Sequence, residues 1–395
     1  MHALDDVTVA DFTQLMAGGW AAQKLGDMGA DVIKIERPGG EFQRHMSYSG
    51  QYLDGVGIGY LTMNRNKRSL SVDLKSEDGR EIAKRVIADA DVLLENFRPG
   101  VMERLGFDYD SVTEYNPDIV YVSASAYGQT GPYAERPGQD LLFQATTGLA
   151  SYTGRADDPP TPAGSVVADE HTASLMALHT MYALFHRERT GEGQHVDASL
   201  FNSAVDLQCN EITFTVNTGE ELSGGRKTHG HPYLFPPYGI YETADGHVAI
   251  GQVPLERVAD VFDADELRAY ETQQEQFEAR DEIHDLIEGY TADLPTDDVV
   301  DRLVEADIQV AEVAPPQDIV DHPQAQHADL LIELDHPNGG TFTTTGIPVH
   351  HSKTPGSVRH DPPALGEDND DILREHGFDE EEITRFREDG IIDEE

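Results

Sequence analysis

The sequence predicts an α/β protein, built on a parallel or mixed sheet with helices on both faces and a smaller domain inserted. Three observations predict it. Short apolar strand patterns alternate with helical spacing through the first 125 residues, the order that builds β-α-β units. A hairpin pattern and then an acidic helical stretch, 255–310, interrupt that alternation. Strand patterns return after residue 309, so both chain ends feed the larger domain. The expected layout is a large domain over 1–200, a linker 201–224, a small α+β domain 225–310, a linker 311–330, and a return to the large domain over 331–395.

Each element has a local reason. VTVAD (7–11), DVIKIE (31–36), SLSVDL (69–74), DVLLEN (91–96) and IVYVSASAYG (119–128) are short, β-rich apolar runs bounded by turn residues. A helix over 17–28 ends near Gly29. A second, over 77–90, starts with Ser76 as cap and an acidic first turn. A helical stretch covers 139–149. Asp169 or Glu170 opens a strongly apolar helix that runs to 187, TGEGQ breaks it, and HVDASL (195–200) resumes. Residues 238–253 form a hairpin around Ala244-Asp245-Gly246. The C-terminal segment reads as two short amphipathic helices hinged at Gly377.

Of 395 residues, 74 are acidic and 28 basic, a net charge of −46, and the basic set is seven lysines and 21 arginines. Such a surface suits concentrated salt, where a screening length of ~3 Å at 1 M tames self-repulsion. It excludes general nucleic-acid binding, since phosphate is repelled. One cysteine, Cys209, excludes a disulfide framework and a thiolate metal site. No apolar run reaches membrane-spanning length and no leader pattern precedes the first strand, so a cytoplasmic location without membrane contact is expected.

The first turn, DFTQLMAGGW, lacks the G-x-G-x-x-G of a dinucleotide site, and neither a P-loop nor a G-x-S-x-G elbow occurs. His171, His179 and His186 lack zinc-site spacing; His179 is expected as a hydrogen-bonded core residue and Cys209 as a partly buried thiol. The basic residues Lys34, Arg37, Arg65 to Arg68, Arg98 and Arg104 cluster after strands, where α/β sheets bind anions. Neutralisation of the protein's own acids explains them equally well. Asp169 reads either as a helix N-cap or as a nucleophile kept ionised by helix-start amides.

The stretches DFTQLMAGG, LGDMGADVIKIERPGG, NRNKRSLSVDLK, ADVLLENFRPGVMERLG, SASAYGQTGPY, PGQDLLFQATTGL, HRERTGEGQHVDASL and LGEDNDDIL resemble, in order, the family III CoA-transferases, the CaiB–BaiF group. The resemblance implies a large Rossmann-like domain, a small domain, long linkers and an interlocked ring dimer. It implies Asp169 as catalytic nucleophile. It also implies CoA contacts at Gln14, Met16, Ala17, Arg37, Leu70, Asn96, Phe97, Arg104 and Arg136. Met16 departs from the glutamine of the oxalate-related members, which removes a polar contact. The implied chemistry needs no prosthetic group or metal: a CoA thioester and a small carboxylic acid exchange CoA through aspartyl anhydride and aspartyl-CoA intermediates. Racemases of the family carry a histidine where this chain has Gln139, which cannot act as a base. Succinyl-CoA as donor and mesaconate as acceptor are expected, with formyl-CoA/oxalate and carnitine exchange as the alternatives; Arg44 or Arg226 is expected to meet the acceptor's second carboxylate, and Gln139 is a further substrate-site candidate. The glycines of SGGRKTHG are expected in a loop over the site.

Overall fold

The computed structural model describes residues 1–395 except Ser47, Leu222, Ser223, Glu394 and Glu395. The chain divides into two compact units. One comprises 1–143, 166–207 and 322–395, the other 144–165 and 208–321.

The larger unit holds a six-stranded parallel sheet. Its strands are β1 (Thr8–Asp11), β2 (Asp31–Glu36), β3 (Lys67–Ser71), β4 (Val92–Glu95), β5 (Val120–Ser125) and β6 (Gln194–Ser199), in the spatial order β3-β2-β1-β4-β5-β6. The chain winds outward from β1 to β3, then restarts at β4 on the other side, so the strand order reverses between β1 and β4. The central strands are apolar on both faces, as parallel strands covered on both sides must be. On one face Ile33, Leu70 and Leu93 pack with Ile82 and Val86 of the helix Glu77–Asp89. Ile372 and Phe386 of the helices Asn369–Glu375 and Glu380–Glu388 complete that layer. On the other, Val32, Val92 and Val122 pack with Ala21 and Leu25 of the helix Leu15–Asp27 and with Ala173 and Met176 of the helix Val167–Thr190. Ser76 caps its helix as expected, its Oγ accepting from the Gly79 amide at 2.9 Å. A hairpin of β10 (Leu331–Asp335) and β11 (Thr341–Thr345) belongs to the same unit.

Two expectations are corrected here. HVDASL is not helical: it is β6, paired in register with β5 from Val120↔Gln194 to Ser125↔Ser199. Its polar alternation is that of an edge strand, half buried. The third strand spans Lys67–Ser71, starting two residues earlier than its apolar run, because Lys67 is buried and ion-paired.

The smaller unit is a three-stranded antiparallel sheet, β7 (Gly239–Glu242), β8 (His247–Ile250) and β9 (Val310–Glu312), with helices packed on it. Its core joins Tyr241 and Val248 to Val258, Ile283, Ile287 and Leu303. The β7–β8 turn is as expected, closed by the Thr243 amide on the Gly246 carbonyl. Residues 144–165, expected in the large domain, cluster instead with this unit. Gln208 donates to Thr147, Tyr152 donates to Gln208, and the Ala156 amide donates to the Gly225 carbonyl. Among the described residues no helix is long and apolar enough to cross a membrane.

Candidate active site

A cavity of about 530 Å³ opens in the larger unit at the carboxyl ends of its strands. Its walls include Leu15, Met16 and Ala17 after β1 and Asn96, Phe97 and Arg98 after β4. These two strands flank the reversal of strand order, where parallel sheets leave a crevice.

The turn after β1 is built by buried charge. Asp11 accepts from the Thr13 amide at 2.9 Å and pairs with Lys67 at 3.0 Å, both carboxylate and ammonium sealed from water. Lys34 donates to the Thr13 carbonyl and pairs with Glu41, each at 3.0 Å. Glu41 in turn accepts from the Leu15 amide at 3.0 Å. Leu15 sits at φ 58°, a left-handed conformation uncommon outside glycine, and these bonds hold it there. Asn96 ties the second turn to the first: its Oδ1 accepts from the Gln14 amide at 2.8 Å and its Nδ2 donates to the Gln14 carbonyl at 2.6 Å.

Most of the basic turns are thus used internally. Besides Lys34 and Lys67, Arg65 grips Asp27 with both arms and Arg68 joins Asp31 to Glu375. Neutralisation of the protein's own acids accounts for these four. Arg37, Arg98, Arg104 and Arg136 stay exposed; Arg136 lies over the Tyr133 ring at 3.7 Å.

Arg44 needs correction as a substrate cation. It is buried, clamps Glu36 at 2.9 and 2.7 Å, donates to the Pro363 carbonyl and lies 3.9 Å over the Tyr60 ring. Its guanidinium is committed to these partners, and Arg44 is not among the residues that line the cavity. Arg226 belongs to the other unit, its amide held by Asp281. In the same segment Lys227 pairs with Asp285 and Glu288, and His229 with Asp281; Ser223 of the expected loop lies outside the described residues. The Leu70 side chain is sealed in the core, so only its backbone is available to a ligand. His179 and Cys209 are both exposed, against expectation. His179 sits on the outward face of its helix beside Tyr182.

Asp169 lies on the cavity wall, and so does Gln139. The helix begins at Val167 with Val166 as cap, and no side chain of its own caps it. Asp140, buried at the start of the helix Asp140–Thr146, reaches across instead. Its Oδ1 accepts from the Ala168 amide at 2.7 Å and the Asp169 amide at 3.2 Å. The capping role considered for Asp169 is therefore filled by another residue, and the amides expected to keep Asp169 ionised are taken. Burial, then the Asp140 and Glu170 charges, push its carboxyl up to about 7. Asp140 is the site residue that spacing alone misses: 29 residues separate it from Asp169, and only the fold closes that gap.

Replacing Asp140 by Asn keeps an acceptor for both amides but removes the like charge. The acid limb of kcat/KM against pH is then expected to move to lower pH, by up to about one unit. An unmoved limb would show that Asp140 does not set the ionisation of Asp169.

The chain matches the family model described as CoA-transferase family III over residues 4–369. It is 36% identical to a succinyl-CoA:mesaconate CoA-transferase of Haloarcula hispanica, over 95% of this chain and 97% of that protein. It is 30% identical to a formyl-CoA:oxalate CoA-transferase of Rhodopseudomonas palustris, over 99% and 97%. A solved CAIB/BAIF family protein from Brucella suis superposes with a TM-score of 0.84 at 30% identity, over 95% of this chain and 99% of that one. The reversed parallel sheet, the crevice at its switch point and these matches agree: the chain is a CoA-transferase and belongs to family III of those enzymes.

Proposed function

We propose that the enzyme moves CoA from succinyl-CoA to a short dicarboxylic acid, mesaconate foremost, with Asp169 as nucleophile. The observation that carries this reading is an aspartate on the crevice wall whose capping duty another carboxylate has taken over. Its oxygen attacks the thioester carbonyl; the C–S bond breaks and CoA leaves as thiolate, giving a mixed anhydride. The thiolate then attacks the aspartyl carbonyl, the aspartyl C–O bond breaks and succinate leaves. The acceptor carboxylate attacks the resulting aspartyl-CoA and repeats the two steps in reverse. No proton is gained or lost overall, so the protein's task is positioning and exclusion of water. Gln139 in the wall offers no base for proton abstraction, which disfavours racemisation.

The acid pair is supported by likeness. Identity is 36% to the two succinyl-CoA:mesaconate transferases, against 29–32% to relatives named for glutarate, 30% for oxalate and 30% for citramalate. With Arg44 engaged, Arg98 and Arg136 are the cations of the cavity wall, and a second carboxylate needs one of them. The test is kcat/KM for mesaconate, glutarate, oxalate, citramalate, formate and carnitine with succinyl-CoA. Mesaconate is expected to lead, and to lose at least tenfold in Arg98→Ala or Arg136→Ala. Preference for a monocarboxylate or carnitine would overturn the reading.

A homodimer belongs to it. Leu178, Met181, Tyr182 and Phe185 form an apolar stripe at i, i+3, i+4, i+7 on the helix Val167–Thr190, each 37–64% exposed, the kind of surface a second copy covers. A salty working medium follows from the −46 charge.

A further inference from the structure

Three buried carboxylates at the carboxyl edge of the sheet have partners of opposite charge. Asp11 has Lys67, Glu36 has Arg44 and Glu41 has Lys34. Glu95, the last residue of β4, differs: it is 4% exposed and has no cationic partner among the described residues. It accepts from the Phe97 amide at 2.8 Å and bonds the Ser123 hydroxyl, which lies 2.9 Å from Nε2 of His195. The two residues that follow Glu95 are Asn96, locked to the backbone of Gln14, and Phe97; both line the cavity. Glu95 thus sets the turn that forms one wall.

The groups that face it carry no positive charge to balance it. From β5 come Ser123 and the Tyr121 phenol, and from β6, His195 and the Asp197 carboxylate. A formal anion here is stabilised by one amide and one hydroxyl alone. A neutral acid fits better, because the hydroxyl of Ser123 can turn: it donates to an ionised Glu95 while His195 Nε2–H donates to it, or accepts from a protonated Glu95 while donating to an unprotonated Nε2. The bond from the Phe97 amide persists in both states.

We propose that Glu95 is a positioning residue that works as a neutral acid, holding the Asn96–Phe97 wall and taking up a proton from solvent when polyanionic CoA docks beside it. This rests on the reading that the cavity receives CoA. Burial has already pushed the Glu95 carboxyl up to about 7, so a modest added negative potential suffices.

The experiment is titration calorimetry of CoA into Asp169→Asn protein at pH 7.5, in buffers of different ionisation enthalpy. The Asp169→Asn background removes the other carboxyl that titrates near neutrality. Docking that raises the proton affinity of Glu95 tenfold gives an uptake of about half a proton, and that uptake is expected to vanish in Asp169→Asn/Glu95→Gln. The same double variant is expected to bind CoA about threefold more tightly at this pH, since Gln still accepts from the Phe97 amide and needs no proton to be neutral, whereas Glu95→Ala weakens binding at least fivefold. Equal uptake with and without Glu95, or a Gln variant as weak as the Ala variant, overturns the proposal. Failure of Asp169→Asn to bind CoA at all would instead overturn the reading of the cavity. If Glu95→Gln does not fold, the infrared band of a protonated carboxyl in the Asp169→Asn protein decides: a rise on CoA addition supports the proposal, and an unchanged band overturns it.

Discussion

Asp169→Asn is expected to lose CoA exchange by at least about three orders of magnitude, because the other carboxylate of the cavity wall, Asp140, is engaged by the Ala168 and Asp169 amides and does not replace a covalent nucleophile. The same substitution is expected to stabilise the fold in alkaline solution. The folded-state carboxyl titrates at about 7 against an ordinary 3.8, so between those values the folded chain holds the proton more tightly than the unfolded one. Stability contributed by this group is therefore present in acid and falls as pH rises through that window. Its site is partly open to water, which limits the cost to about 1–2 kcal/mol. Asn carries no such penalty. The melting temperature of the variant should exceed that of the native protein at pH 8, and by less at pH 5. Retained turnover would remove the covalent route, and a pH-independent gap in melting would remove the raised carboxyl.

The largest effect on stability is expected at the Asp11–Lys67 pair. Asp11→Ala leaves a fully buried ammonium without its counter-charge and frees the two bonds that shape Thr13. The cost of such an orphan is about 3–5 kcal/mol. Trp20, the single tryptophan, lies in the helix that this turn begins, so its fluorescence during urea unfolding reports on the larger unit. Lys67→Met in the Asp11→Ala background should recover most of the loss, since it removes the orphan. A double variant no more stable than Asp11→Ala would show that the charge is not the cause.

Much of the fold could be read from the chain because its signals are local. The helix over 77–89 announces itself through Ser76 and its acidic turn, and DVIKIE is a strand on composition alone. What escaped depended on distant partners. HVDASL carries an edge-strand alternation, but only β5 beside it makes that a strand. Lys34, Arg65, Lys67 and Arg68 look like an anion site in sequence, because the acids that neutralise them lie as far off as Glu375. Asp169 stands out by family resemblance; its two local readings could not be separated, because the residue that decides between them is Asp140.

Two of the helices that begin at the cavity start against the protein's own acids, Leu15 on Glu41 and Ala168 on Asp140. Open helix starts would attract any carboxylate. In an exchange between two acids, the released acid is also a carboxylate, and an attraction felt equally by substrate and product slows departure as much as it aids arrival. Stoppering these two starts removes two places where the crevice would hold its own leaving group.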